Sequence, residues 1–243
     1  MKNNNKFRLD VWGAITLGTI ALYALFLLYP MAYLIRQSVL DPDTGGFTLA
    51  YFTKFFSKSY YFDTLINSFK VSITATVLSI AIGTPLAYLF TIFKIKGKSV
   101  LNILIVVASM SAPFIGAYSW ILLLGRSGII TTFFKNLGIA IPDIYGFGGI
   151  VLVMTLQLFP LVFLYAKGAL KNIDNSLIEA AENLGCSGIA CFFKVVVPLI
   201  MPTLLAAALL VFMRSFADFG TPMLIGEGYR TFPVVLYTEF INE

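Results

Sequence analysis

Five long runs without a charged residue decide most of what this chain can become. They are Val11–Ile35, Val71–Phe93, Ser99–Gly125, Ile144–Ala166 and Val195–Met213, from 19 to 27 residues long. A bilayer core about 30 Å thick takes roughly 20 helical residues, because each residue rises about 1.5 Å. Each run can therefore form a membrane span, at 11–35, 71–93, 99–125, 144–166 and 195–213. A soluble fold fails, since five such runs leave no amphipathic helices to cover them. Composition agrees. Only 12% of the residues are charged, about half the share in soluble domains, which is too little to cover a water-facing surface. Lys2, Lys6 and Arg8 before the first run resemble the start of a signal peptide. That run exceeds the usual apolar length and lacks a small-x-small cleavage site, so it reads as a retained helix. The sequence predicts an all-α polytopic membrane protein.

Loop charge sets the expected orientation. Segments 1–10, 94–98 and 167–194 carry nine Lys or Arg in 43 positions, against eight in 83 for segments 36–70, 126–143 and 214–243. The denser side is expected to be cytoplasmic. Lys94-Ile95-Lys96-Gly97-Lys98 is its clearest marker. Residues 1–10 then lie inside, and the segment 214–243 outside. Pro85, Pro113, Pro160, Pro198 and Pro202 fall within spans or at their edges. Each removes a backbone donor and opens the helical ladder. In lipid, freed carbonyls are tolerated only inside protein or along a cavity. Most of these prolines read as kinks, and some as hinges beside a path.

Several chemistries are excluded. Without histidine, the chain cannot build a Ser-His-Asp or Cys-His site or a His-ligated metal site. Cys186 and Cys191 have no nearby partners for a metal and read as reduced thiols without a role. Gly97-Lys98-Ser99 lacks the earlier glycine of a phosphate-binding loop, because Ile92 stands there. Asp218-Phe219-Gly220 spells a kinase triplet without any other kinase element. No catalytic residue, metal site or cofactor is expected, and the chain itself should not hydrolyse ATP. An intramembrane enzyme or cation channel would need ionisable groups inside the spans, and the five runs hold none. The basic balance of +5 fits cytoplasmic loops better than nucleic acid.

The loop 167–194 carries the specific signal. Ser176-x-x-Glu179 has the form of a capping box. Leu177, Ile178, Ala181 and Leu184 recur at helical spacing, and Gly185 follows as a helix stop. Ile189, Phe192 and Phe193 then open a second helix that runs into the fifth span. The result is a helix–Gly–helix elbow at 172–194, with an apolar and partly charged surface that needs a partner. At these residues the chain resembles the permease subunits of binding-protein-dependent ATP-binding-cassette importers. Their loop reads Glu-Ala-Ala, three residues, Gly, nine residues, then Ile-x-Leu-Pro. Here Glu179-Ala180-Ala181 is followed by Gly185, and Val195-Val196-Val197-Pro198 comes nine residues later. Both spacings match, with Val in place of Ile and Leu.

The resemblance implies the transmembrane domain of a type I importer, with its amino terminus cytoplasmic. Glu179, Ala180, Ala181, Gly185 and Pro198 would form the coupling loop against a cytoplasmic ATPase dimer. An extracytoplasmic binding protein would deliver the substrate, and a second permease half or subunit would complete the path. Arg214 and Asp218 stand four apart, placed for an intrahelical ion pair at the mouth of that path. Ala217-Asp218-Phe219-Gly220-Thr221-Pro222 resembles the segment after the fifth span in ferric-iron permeases and their polyamine and phosphonate relatives. Iron(III) is the first substrate expectation, and a polyamine or phosphonate the second. A sixth span is expected beyond Glu243, followed by a second homologous half. The alternative is a whole chain that pairs with another subunit. Within 214–243 the longest charge-free run, Thr231–Thr238, reads as a short helix or strand.

Overall fold

A computed structural model describes residues 11–41, 44–93, 96–110, 112–139, 142–186 and 188–242. The amino-terminal segment 1–10 and the markers Lys94 and Ile95 lie outside the described residues. Among the described residues every regular element is helical, and the one β-bridge joins Leu40 to Phe47. Five stretches are long and apolar enough to cross a membrane. The chain divides into two compact units that meet between Phe62 and Asp63.

The first unit holds α1 (Val11–Val39) and α2 (Ala50–Ser57). No residue of α1 is buried, although its mean hydropathy reaches 2.0. A helix apolar on every side needs lipid or another chain around it. Its ladder widens into a π turn at Ala24–Leu28, two residues before Pro30. Proline has no N–H to donate, and its ring crowds the carbonyl four residues back. A wider turn relieves both problems.

Helix α3 (Ser59–Ile92) opens in the first unit and runs on through the second. The second unit then contains α4 (Lys98–Ser109), α5 (Pro113–Leu124), α6 (Ile129–Asn136) and α7 (Phe147–Lys171). It ends with α8 (Asn175–Asn183), α9 (Gly188–Ala217), α10 (Gly220–Ile225) and α11 (Phe232–Asn242). Helix α7 is central, with 56% of its apolar window buried. Ile150, Val153, Met154, Val162 and Phe163 are fully enclosed. From α3, Phe90 meets Phe163 edge to face at 5.1 Å. From α9, Ile200, Leu204 and Val211 complete the same core.

Two segment bounds differ from the sequence reading. The helix that holds the run Val71–Phe93 begins earlier, at Ser59, and carries Asp63 and Lys70 ahead of that run. The run Ser99–Gly125 is not one helix. Pro113 starts α5, and Ala112 before it is extended at φ −67°, ψ 142°, as the proline ring requires of its predecessor. Of the tail segment Thr231–Thr238, residues 232–238 lie in α11, a helix.

Loops at one end of the second unit are tied together. The Arg126 side chain meets Asp143 at 3.1 Å and Glu227 at 2.8 Å, and lies 4.7 Å above the Tyr145 ring. Three connections, after α5, before α7 and after α10, thus share one guanidinium. All three side chains are about half exposed, so the pairs contribute little stability each. Close by, the Gly146 N–H donates to the Ile225 carbonyl at 2.9 Å. At the start of α11, the Phe232 N–H donates to Ser68 Oγ at 2.8 Å, and the Asn67 amide donates to the Arg230 carbonyl at 3.1 Å.

Candidate functional site

The elbow is built by two local devices. Helix α8 is capped by Asp174, whose Oδ1 accepts the Ser176 N–H at 3.0 Å. The expected capping box at Ser176 and Glu179 does not form. Ser176 already lies inside the helix, so its N–H is the group being capped. The other end closes at Gly185, with φ +86°. There the Cys186 N–H reaches back to the Ala181 carbonyl at 3.0 Å. This is the six-to-one bond of a Schellman stop, which needs a left-handed residue just before the donor. The spacing between Ala181 and Gly185 thus has a direct cause. Ala181 supplies the carbonyl, and Gly185 supplies the turn.

Helix α9 restarts at Gly188 and runs unbroken into the fifth span. It passes through a π turn at Phe192–Val196, two residues before Pro198. Pro198 is therefore placed like Pro30 in α1. Cys191 is buried and Cys186 partly so, and the two form no disulfide with each other. Ile178 packs on the core and Ala181 is half-buried. Glu179 and Ala180 are exposed. Leu184 and Ile189 stand 89% and 78% exposed, and Phe193 is exposed as well. These apolar side chains flank the capped turn on both of its sides in sequence.

The Asp174 carboxyl lies below its ordinary range, chiefly through the Ser176 N–H and then the Ser176 hydroxyl. A carboxylate with a depressed folded pKa stabilises above its unfolded pKa, and the contribution is lost as pH falls through the folded value. At neutral pH, Asp174→Ala is expected to raise proteolytic cleavage within 172–186 of the detergent-solubilised protein. Asp174→Asn keeps an acceptor and should stay protected at every pH. Wild-type protection should fall only on acidification. Equal protection of wild type and the alanine variant would refute the cap.

Arg214 and Asp218 belong to a second place. They do not form the expected ion pair. Helix α9 ends at Ala217, and Asp218 turns extended at φ −72°, ψ 122°. Its carboxylate instead caps α10. Oδ1 accepts the N–H of Gly220 at 2.9 Å and of Thr221 at 3.4 Å, and Oδ2 accepts the Thr221 hydroxyl at 2.7 Å. Burial pushes the Asp218 carboxyl above its ordinary value, opposed by these hydrogen bonds. Both residues still line one open cavity of about 430 Å³, with Ser109, Phe114, Gln157 and Phe219. The break between α4 and α5 forms one wall. Phe114 and Phe219 meet edge to face across it at 5.1 Å.

The sequence reading did not single out Asp174, Ser109, Phe114 or Gln157. Asp174 before Asn175-Ser176 was a legible cap signal, and Pro113 was a legible sign of the break. Nothing in the linear pattern pointed to Gln157.

Comparison with known proteins places this architecture. Residues 46–241 match the family described as binding-protein-dependent transport system inner membrane component. The ferric transport system permease protein FbpB of Actinobacillus pleuropneumoniae is 28% identical over 240 residues, covering 98% of this chain and 34% of that protein. The spermidine/putrescine transport system permease protein PotB of Haemophilus influenzae is 29% identical over 232 residues, covering 92% of this chain and 79% of that protein. This chain spans about a third of the length of the ferric permeases it matches. Among solved structures, a bacterial alginate ABC transporter superposes with a TM-score of 0.77 at 16% identity, over 96% of this chain and 83% of that one. That likeness is one of fold. The family match covers both the elbow and the cavity, and the multi-pass architecture accords with it. This chain belongs to the family of binding-protein-dependent transport system inner membrane components.

Proposed function

We propose that the chain is the membrane permease of an ATP-driven importer, and that its elbow seats in a groove of a cytoplasmic ATPase. One observation carries the reading. The exposed apolar side chains of Leu184, Ile189 and Phe193 flank a capped turn that leads directly into a membrane span. ATP hydrolysis would lie on the separate ATPase pair. Closure of that pair would draw two elbows together and turn the path from inward-facing to outward-facing. Each state is selected because ATP and the loaded binding protein bind it better. A second permease half or subunit completes the path. The amino terminus and the elbow share the cytoplasmic side, in keeping with the loop charges. Iron(III) is the cargo this reading favours, supported by the ferric permease relatives, with a polyamine or a phosphonate next.

Affinity purification of the full-length gene product from its native membrane tests the reading. A cytoplasmic ATPase should co-purify, and its loss after substitution of Leu184 and Ile189 by Asp should follow. Purification without any ATPase would favour a channel that works alone. Glu179 refines the contact. Because Asp174 caps α8, Glu179 is free for the ATPase. Glu179→Gln and Glu179→Ala are therefore expected to lower substrate-stimulated ATPase activity equally. Full activity of the Gln variant would exclude a charge contact.

A further inference from the structure

We propose that the cavity walled by α4, α5, α7 and the end of α9 is a cargo site for an oxyanion, with Arg214 as its recognising cation. The proposal rests on the importer reading and narrows its substrate class. Two charged side chains line the cavity, and they are not equivalent. Asp218 has three of roughly four acceptor directions occupied by Gly220 and Thr221. It is committed to holding α10 and offers little to a cationic cargo. Arg214 has no hydrogen bond or ion pair among the described residues, although it was spaced for one.

A guanidinium presents five N–H donors in a planar fork and no acceptor. It matches the paired oxygens of a carboxylate, phosphate or phosphonate. Phe114, Leu158 and Phe219 on the same lining are apolar and offer no competing acceptor side chain. Ser109 on α4 and Gln157 on α7 are polar residues on the same lining. A bare polyamine would meet the Arg214 cation here and find most acceptor directions of Asp218 already taken. Naked iron(III) would meet the same repulsion. The shared chemistry of the accepted cargo is a negatively charged oxygen cluster, either on a phosphonate or around an iron(III) complex.

The test uses the full-length transporter with the ATPase and binding protein of its own genome, reconstituted in liposomes. Uptake is measured for three labelled probes, which are ferric citrate, methylphosphonate and spermidine. Uptake of ferric citrate or methylphosphonate is expected, and it tells the two oxyanion sources apart. Arg214→Gln should lower that uptake roughly tenfold to a hundredfold, with co-purification of the ATPase retained. Arg214→Lys keeps the charge without the fork and should fall between. Uptake of spermidine, uptake undiminished in Arg214→Gln, or uptake of none of the three would overturn the assignment. Failure of the ATPase to assemble with the wild-type chain would instead refute the importer reading, so the two failures are distinct.

Discussion

Gly185→Val is expected to abolish uptake while the chain inserts in the membrane at normal levels. Gly185 sits at φ +86°, where a β-branched residue crowds the following carbonyl and costs about 1–2 kcal/mol. A Cβ at this position would meet nothing within 4 Å in the chain itself, so the penalty is one of backbone conformation alone. The chain can escape it by leaving the left-handed region. That breaks the bond from Cys186 to Ala181 and swings α8 away from the start of α9. The spans do not depend on this turn, so insertion should survive. Gly185→Asn is the matched control, since asparagine enters the left-handed region readily, and it should retain most transport. The measurement is ATP-dependent uptake and ATPase activity in proteoliposomes of the full transporter. Wild-type transport by the valine variant would exclude the elbow as the coupling element.

The second large effect is structural. Gly149→Ala should sharply reduce the folded yield of detergent-solubilised protein. A Cβ on Gly149 would lie 1.3 Å from the Ile144 carbonyl oxygen. Backbone must move to admit it, and that segment is fixed on both sides. Ile144 is buried, Tyr145 lies under the Arg126 guanidinium, and Gly146 donates to Ile225. Overpacking typically costs about 1–3 kcal/mol, with worse cases where neither side can yield. Gly148 is an internal control one residue away, where a Cβ meets nothing within 4 Å. Gly148→Ala should be neutral or stabilising by roughly 0.5–1 kcal/mol, as expected of glycine inside a helix. Equal thermal unfolding of the two variants would show that the Ile144 segment yields freely.

How far the fold could be read from sequence follows from which signals were local. The apolar runs, the Gly185 stop and the restart of α9 are each set by a few consecutive residues, and the structure has them. The continuity of the third span failed because one proline outweighed a long apolar run. Pro113 constrains Ala112 whatever the hydropathy around it. The Arg214–Asp218 pair failed for a related reason. Spacing of four predicts a contact only if the helix continues, and Asp218 found better donors in the next helix. Gln157 faces the cavity because α7 packs centrally between other helices. That is a tertiary fact with no signature along the chain.

The π turn at Phe192–Val196 works as a phase setting between two surfaces. A helix advances about 100° per residue, and a wide turn accommodates roughly one residue more than the regular ladder. The side chains before the turn, Ile189 and the exposed elbow face, are therefore rotated with respect to Ile200 and Leu204 in the core. Deleting one residue from this stretch would absorb the wide turn and leave the two faces in phase, whereas a regular ladder with every residue kept would turn the elbow by about 100° about the helix axis. The core face of α9 would remain in register with α7. Pro198, placed just beyond the turn, keeps the wide geometry favourable where it stands. The rotational phase of the elbow is thus set by a wide turn whose Phe192 and Val196 are themselves anchored in the core.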